Sequence, residues 1–371
     1  MSGLGPALAG RRICICVGAG GVGKTTSAAA IALRLAADGG RVALVTIDPA
    51  RRLAGALGMT ELGNQPHRVP AGRLAGAGFE VRGELWAMML DPKRTFDELI
   101  GRLAPDERAR EEILGNRIYR ELSNAVAGSQ EFTAIAKLYE LDRDGGFDAI
   151  VLDTPPSRNA LDFINAPARL THFFEGRALR VLRGPGGLAS RVLGRGTSVG
   201  SSVLRRLTGV DLLGEISAFF AALAGLVDGF KERAAGVAAL LRDPATAVIL
   251  VSSPEREPID EAIAFAAELD RAGLAVAAVV VNRVHLDRDP PADPEAVGAA
   301  LTDSLGGRLA GRVADNLRDH QLLARRDERG LARLEAQLTG APFVRVPQLV
   351  AEVDDIEGLG RVARHLFGAV D

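Results

Sequence analysis

Nine consecutive residues, Gly18-Ala19-Gly20-Gly21-Val22-Gly23-Lys24-Thr25-Thr26, satisfy the spacing G-x-x-x-x-G-K-[ST]. Glycines at Gly18, Gly20, Gly21 and Gly23 let the backbone curl until successive N–H groups, Val22 among them, converge on phosphate oxygens. A helix starting at the lysine would add the positive end of its dipole. In such a loop Lys24 neutralises β and γ phosphates, the Thr25 hydroxyl ligates magnesium, and the Thr26 hydroxyl reaches the α-phosphate. Only four lysines stand among 45 basic residues, so a lysine at this position is not compositional drift. Two carboxylates follow, each directly after an apolar run. Asp48 closes VALVTI and Asp153 closes FDAIVL, which puts both at the carboxyl edge of a sheet, where open α/β folds bind ligands. Asp153 suits a magnesium carboxylate acting through water. Asp48 suits a group that orients an attacking water or accepts its proton. Either can instead be a helix N-cap.

The elements that must position these groups are legible as short apolar runs at Arg12–Val17, Val42–Ile47, Leu85–Leu90, Phe147–Leu152, Ala247–Val251, Val276–Val281 and Pro342–Val346. None alternates with polar residues, as expected of strands covered on both faces. Lys24–Ala37 has helical spacing between the first two runs, so strand, helix and strand form a βαβ unit with parallel strands. Helical stretches are predicted at 93–142 and 257–272. The fold class expected is α/β: a doubly wound, mostly parallel sheet of the P-loop NTPase kind with an inserted helical subdomain. Residues 1–10 are expected to be a flexible leader. The core follows in its first part, 11–92, then a helical segment, 93–144, a core strand with its loop, 145–160, an insert, 161–244, and the second part of the core, 245–371.

The insert breaks the rhythm. Eight arginines face one glutamate between Asn165 and Val210, and six glycines lie between Gly184 and Gly200. Leu212, Ile216, Phe219, Phe220, Leu223, Leu226, Val227 and Phe230 then form a helical apolar stripe. The stripe is either a groove wall for a hydrophobic client or the core of the helical segment. The basic stretch is a solvated face, a membrane-surface patch or a partner dock. Net charge is −2, which gives no reason to expect nucleic acid as a partner. Cys14 and Cys16 fall on one strand and read as buried thiols rather than as a metal pair. No apolar run is long enough to span a membrane. The expectation is a cytoplasmic chain, peripheral at a membrane if the insert docks there.

On these motifs the chain resembles the ArsA-type ATPases of the deviant Walker A class, a family that includes the arsenite-pump ATPase and the Get-pathway targeting factor for tail-anchored membrane proteins. TIDPARRL at 46–53 resembles the family's switch I, which makes Asp48 the catalytic aspartate. DTPPSRNAL at 153–161 resembles switch II, with Asp153 its Walker B residue. VVVNRV at 279–284 places Asn282 on the adenine base, and FVRVPQL at 343–349 places Pro347 in a second adenine loop. The closest likeness is to the actinobacterial ArsA-like ATPases that occur as paralogous pairs. The resemblance implies ATP and Mg2+, a dimer, and hydrolysis coupled to a hydrophobic client or membrane partner. An anion-pump motor or a partitioning and positioning ATPase are the alternatives. GTP is disfavoured, because Asn282-Arg283-Val284-His285 lacks an aspartate for the guanine amino group.

Three departures stand out. Ala19 replaces the loop's first lysine, which in the family crosses the dimer; a heterodimer with a lysine-bearing paralogue is therefore favoured over a homodimer. The zinc-binding Cys-x-x-Cys is missing, and Asn159 stands where pump and targeting relatives have a switch II histidine.

Overall fold

The computed structural model describes residues 3–47, 52–59, 61–116, 119, 130–155, 226–287 and 291–368. Asp48, Asn159 and the insert between 161 and 225 lie outside these residues. The strands are β1 (Ile13–Val17), β2 (Arg41–Thr46), β3 (His67–Arg68), β4 (Glu84–Met89), β5 (Ala149–Asp153), β6 (Thr246–Ser252), β7 (Val276–Val284) and β8 (Phe343–Pro347). The described helices are α1 (Gly5–Leu8), α2 (Lys24–Ala37), α3 (Arg52–Ala56), α4 (Ala71–Leu74), α5 (Pro92–Leu103), α6 (Glu107–Gly115), α7 (Gln130–Asp144), α8 (Val227–Arg242), α9 (Arg256–Arg271), α10 (Pro294–Leu305), α11 (Gly307–Gln337) and α12 (Ile356–Phe367).

All seven apolar runs are strands of one eight-stranded sheet, ordered β3-β4-β2-β5-β1-β6-β7-β8. Every pairing is parallel except β3 with β4, at the edge. The absence of polar alternation has its cause in the two cores. Ile13, Ile15 and Val17 point into one, with α5, α7, α8, α9 and α11 supplying partners such as Phe96, Leu138, Val237, Phe265 and Leu331. Cys14 and Cys16 point into the other, packed by the alanines of α2 and by Leu359 and Val362 of α12. A side-chain period of two sends successive residues to opposite faces, and here both faces are dry. The short side chains Ala28, Ala29, Ala30 and Ala32 let α2 lie close on the sheet.

One expectation is corrected. The leader is not loose: Leu4 is fully buried, Leu8 nearly so, and the Leu4 N–H donates to the Leu366 carbonyl at 2.7 Å. Two leucines seated in the second core outweigh the glycines around them. At its described end the apolar stripe of the insert is core, since Leu226 and Phe230 are buried and Phe230 stacks on Phe96 with ring centroids 6.0 Å apart. The rest of the stripe lies outside the described residues. α11, a 31-residue helix, was not singled out from sequence, because its arginines and aspartates mask a narrow apolar stripe.

Candidate functional site

β1 must pass into α2 without blocking its neighbours, and this explains the glycines. Gly18 has φ +144, and a Cβ there would lie 2.0 Å from the Val251 carbonyl oxygen of β6. Gly21 has φ +76 in open space, whereas Gly23 has φ +96 and its Cβ would meet Asn282 Nδ2 at 2.2 Å. Gly20 and Gly21 are exposed at the loop tip and Val22 is buried beneath it. Gly23 caps α2 with no side-chain acceptor, so its first N–H groups remain directed at the space above the loop.

Lys24 opens α2 and is buried; its Nζ donates to the Ala19 carbonyl at 2.7 Å. Thr25 Oγ1 donates to Asp153 Oδ2 at 2.7 Å, and Thr46 Oγ1 donates to the same oxygen at 2.8 Å. The strand order is responsible. β5 lies between β1 and β2, so Asp153 is in register with Cys16 on one side and Thr46 on the other. A neighbouring hydroxyl, Thr154 Oγ1, ties the next residue to the Cys16 carbonyl at 2.7 Å. Thr46 is a member of this cluster that sequence reasoning missed; a single hydroxyl at the end of an apolar run carries little signal, though TIDP contains it. The Cys14 side-chain hydrogen bond and burial push the Cys16 thiol up. Asp153's charge acts in the same direction and Lys24's against it.

On the far side of the loop, Asn282 Nδ2 donates to the Val22 carbonyl at 3.0 Å. Arg283 donates through its guanidinium to the Gly21 carbonyl at 2.9 Å and through its N–H to Asn282 Oδ1 at 3.0 Å. Pro347 ends β8 opposite Val284, and the Gln348 N–H donates to the Val284 carbonyl at 2.9 Å. A cavity of about 710 Å3 joins these parts, lined among others by Lys24, Thr25, Thr26, Thr154, Asn282 and Pro347. That volume falls in the range of small-molecule and cofactor sites. Asp48 and Asn159 lie outside the described residues. Among the described residues no group of three or more His, Cys, Asp and Glu could hold a metal, and no helix is long and apolar enough to cross a membrane. Thr25 and Asp153 present hard oxygens side by side, a donor set that suits Mg2+ completed by phosphate and water.

A glycine loop between the first parallel strand and its helix, with a lysine beneath it and a carboxylate at the adjoining strand end, defines a P-loop nucleotide-hydrolysing domain. A family model described as "Anion-transporting ATPase" matches residues 11–296, and the chain belongs to that family. It is an ATPase. ATPase get3 of Schizosaccharomyces pombe is 26% identical over 344 residues, covering 92% of this chain and 87% of that protein. Putative arsenical pump-driving ATPase 1 of Aquifex aeolicus is 24% identical over 364 residues, 96% of this chain and 79% of that one. An uncharacterized protein of Streptomyces coelicolor is 30% identical over 283 residues, 76% of this chain and 64% of its own length.

Proposed function

We propose that the chain is a Mg2+-dependent ATP-hydrolysing motor, acting in a dimer, whose nucleotide state governs binding of a hydrophobic client or membrane partner. The observation that carries the catalytic part is the convergence of Thr25 and Thr46 on one oxygen of Asp153 beside the buried Lys24. In this reading the loop N–H groups and Lys24 bind the β and γ phosphates, while Thr26 meets the α-phosphate. Thr25 would ligate Mg2+, and Asp153 would hold it through water. Bound there, the ion supplies charge that offsets the negative charge gathering on the leaving phosphate. Thr46 fixes the orientation of Asp153. Asp48 orients the attacking water or takes its proton, and Asn282 and Pro347 receive the adenine.

The name of the Schizosaccharomyces relative supports the ATPase motor, and the name of the Aquifex relative raises the alternative of driving an arsenical pump. Cys14 and Cys16 are both buried on β1, so neither is available to hold arsenite. The reading is tested by ATP turnover and nucleotide binding in two variants. Lys24→Ala should abolish turnover. Asp48→Asn should still bind ATP but hydrolyse it roughly a hundredfold or more slowly. Parental turnover in Asp48→Asn would remove its assigned role.

A further inference from the structure

Among the described residues, Arg283 alone of the non-glycines has a positive φ, +60. A left-handed residue of this kind persists where its surroundings over-determine it. Upstream, Asn282 and Arg283 are tied to the phosphate loop through the Val22 and Gly21 carbonyls. Downstream the anchor is Asp327, on α11. Its carboxylate is fully buried. Oδ2 accepts the His285 backbone N–H at 2.9 Å, and the His285 ring Nδ1 stands 2.8 Å from the same oxygen, which the Nδ1–H tautomer satisfies. Oδ1 accepts the Arg326 guanidinium at 2.7 and 3.0 Å. A buried carboxylate with these donors is a charge-assisted fixture rather than a loose contact.

The same helix holds the neighbouring strand. Glu328 and Glu335 of α11 both pair with Arg345 of β8, at 2.7 and 3.1 Å. One helix therefore ties down both strands from which Asn282, Arg283 and Pro347 reach the cavity. Asp327 does not itself line that cavity.

We propose that Asp327 is a positioning residue for the nucleoside half of ATP: by holding His285, it keeps Asn282 and Arg283 turned onto the phosphate loop and so sets the wall that receives the base. The proposal rests on the reading of Asn282 as a base contact. It separates two functions within one cavity. The phosphate half is built on β1, α2 and β5, and the base half on β7 and β8, which α11 clamps from outside.

The test compares ATP with inorganic triphosphate, a probe with no base, each titrated with Mg2+ into the full chain. Asp327→Asn should weaken ATP binding about tenfold and triphosphate binding by less than about threefold. Where that variant does not fold, His285→Ala, which removes the ring contact and spares the backbone N–H, should shift the same ratio by about threefold. A general loss of structure would lower both affinities together, and that outcome, or no change in either, overturns the proposal. Asn282→Ala distinguishes the two levels. If it lowers ATP affinity selectively while Asp327→Asn does not, only the positioning role falls. If Asn282→Ala leaves the ratio of the two affinities untouched, the base-side reading falls as well.

Discussion

Replacing Gly23 by alanine makes two demands on the site that can be separated. The backbone there has φ +96, and an L residue in the left-handed region costs about 1–2 kcal/mol. The new Cβ would also sit 2.2 Å from Asn282 Nδ2. That amide is the end of a side chain and can rotate away, but only by giving up its 3.0 Å bond to the Val22 carbonyl, worth about 0.5–1.5 kcal/mol. Gly23→Ala should therefore destabilise the chain by about 1.5–3.5 kcal/mol. Gly21→Ala, at φ +76 with nothing within 4 Å, should cost only the backbone part, about 1–2 kcal/mol. Urea denaturation without nucleotide measures both. The decisive comparison is Gly23→Ala made on an Asn282→Ala background, where the cost should drop to that of Gly21→Ala. An equal cost in both backgrounds would refute the contact between the loop and Asn282.

Thr46→Val removes the Thr46 hydroxyl from Asp153 Oδ2 at nearly constant volume, and denaturation should show a loss of about 1.5–3 kcal/mol. Adding Thr25→Val should cost less than the sum of the two, because both donors serve one oxygen. With its thiol pushed up and both cysteines buried, the native chain should resist thiol reagents at mildly alkaline pH, while the denatured chain should label at both. The unfolded Cys16 releases a proton that the folded one keeps, so stability should decline as pH rises above the ordinary thiol range. Cys16→Ala should flatten that slope in denaturation measured across pH. Purified alone, the wild-type chain should bind ATP but hydrolyse it poorly. A lysine-bearing paralogue, or the substitution Ala19→Lys, should raise the rate, and full activity of the lone chain with no gain from either would defeat the heterodimer.

What could be read before folding depended on how locally each feature is encoded. The phosphate loop is legible because three of its glycines are each demanded by something nearby: Val251 at Gly18, the turn itself at Gly21, Asn282 at Gly23. Strands buried on both faces announce themselves as unbroken apolar runs, and Asp153 was found because it ends one. Thr46 was missed because its role depends on β5 being inserted between β1 and β2, which no local pattern encodes. The same applies to Asp327. In sequence it is one acid in an arginine-rich helix, and only the fold brings it to His285. Leu4 looked like part of a glycine-rich tail, yet its anchor, Leu366, lies more than 350 positions away in the sequence.

The strand order also has a consequence for biosynthesis. β1 lies between β5 and β6, and each is translated more than a hundred residues after it. At about 5–20 residues per second, the segment ICICV leaves the ribosome on the order of ten seconds before its first sheet neighbour exists. During that interval it is an apolar strand with both edges unpaired, the kind of segment that associates with other chains. β2 has a shorter wait, since its partner β4 emerges soon after it. A nascent chain of this protein should therefore depend on holding chaperones up to the emergence of β5, and the phosphate loop that β1 carries cannot close over a nucleotide before then.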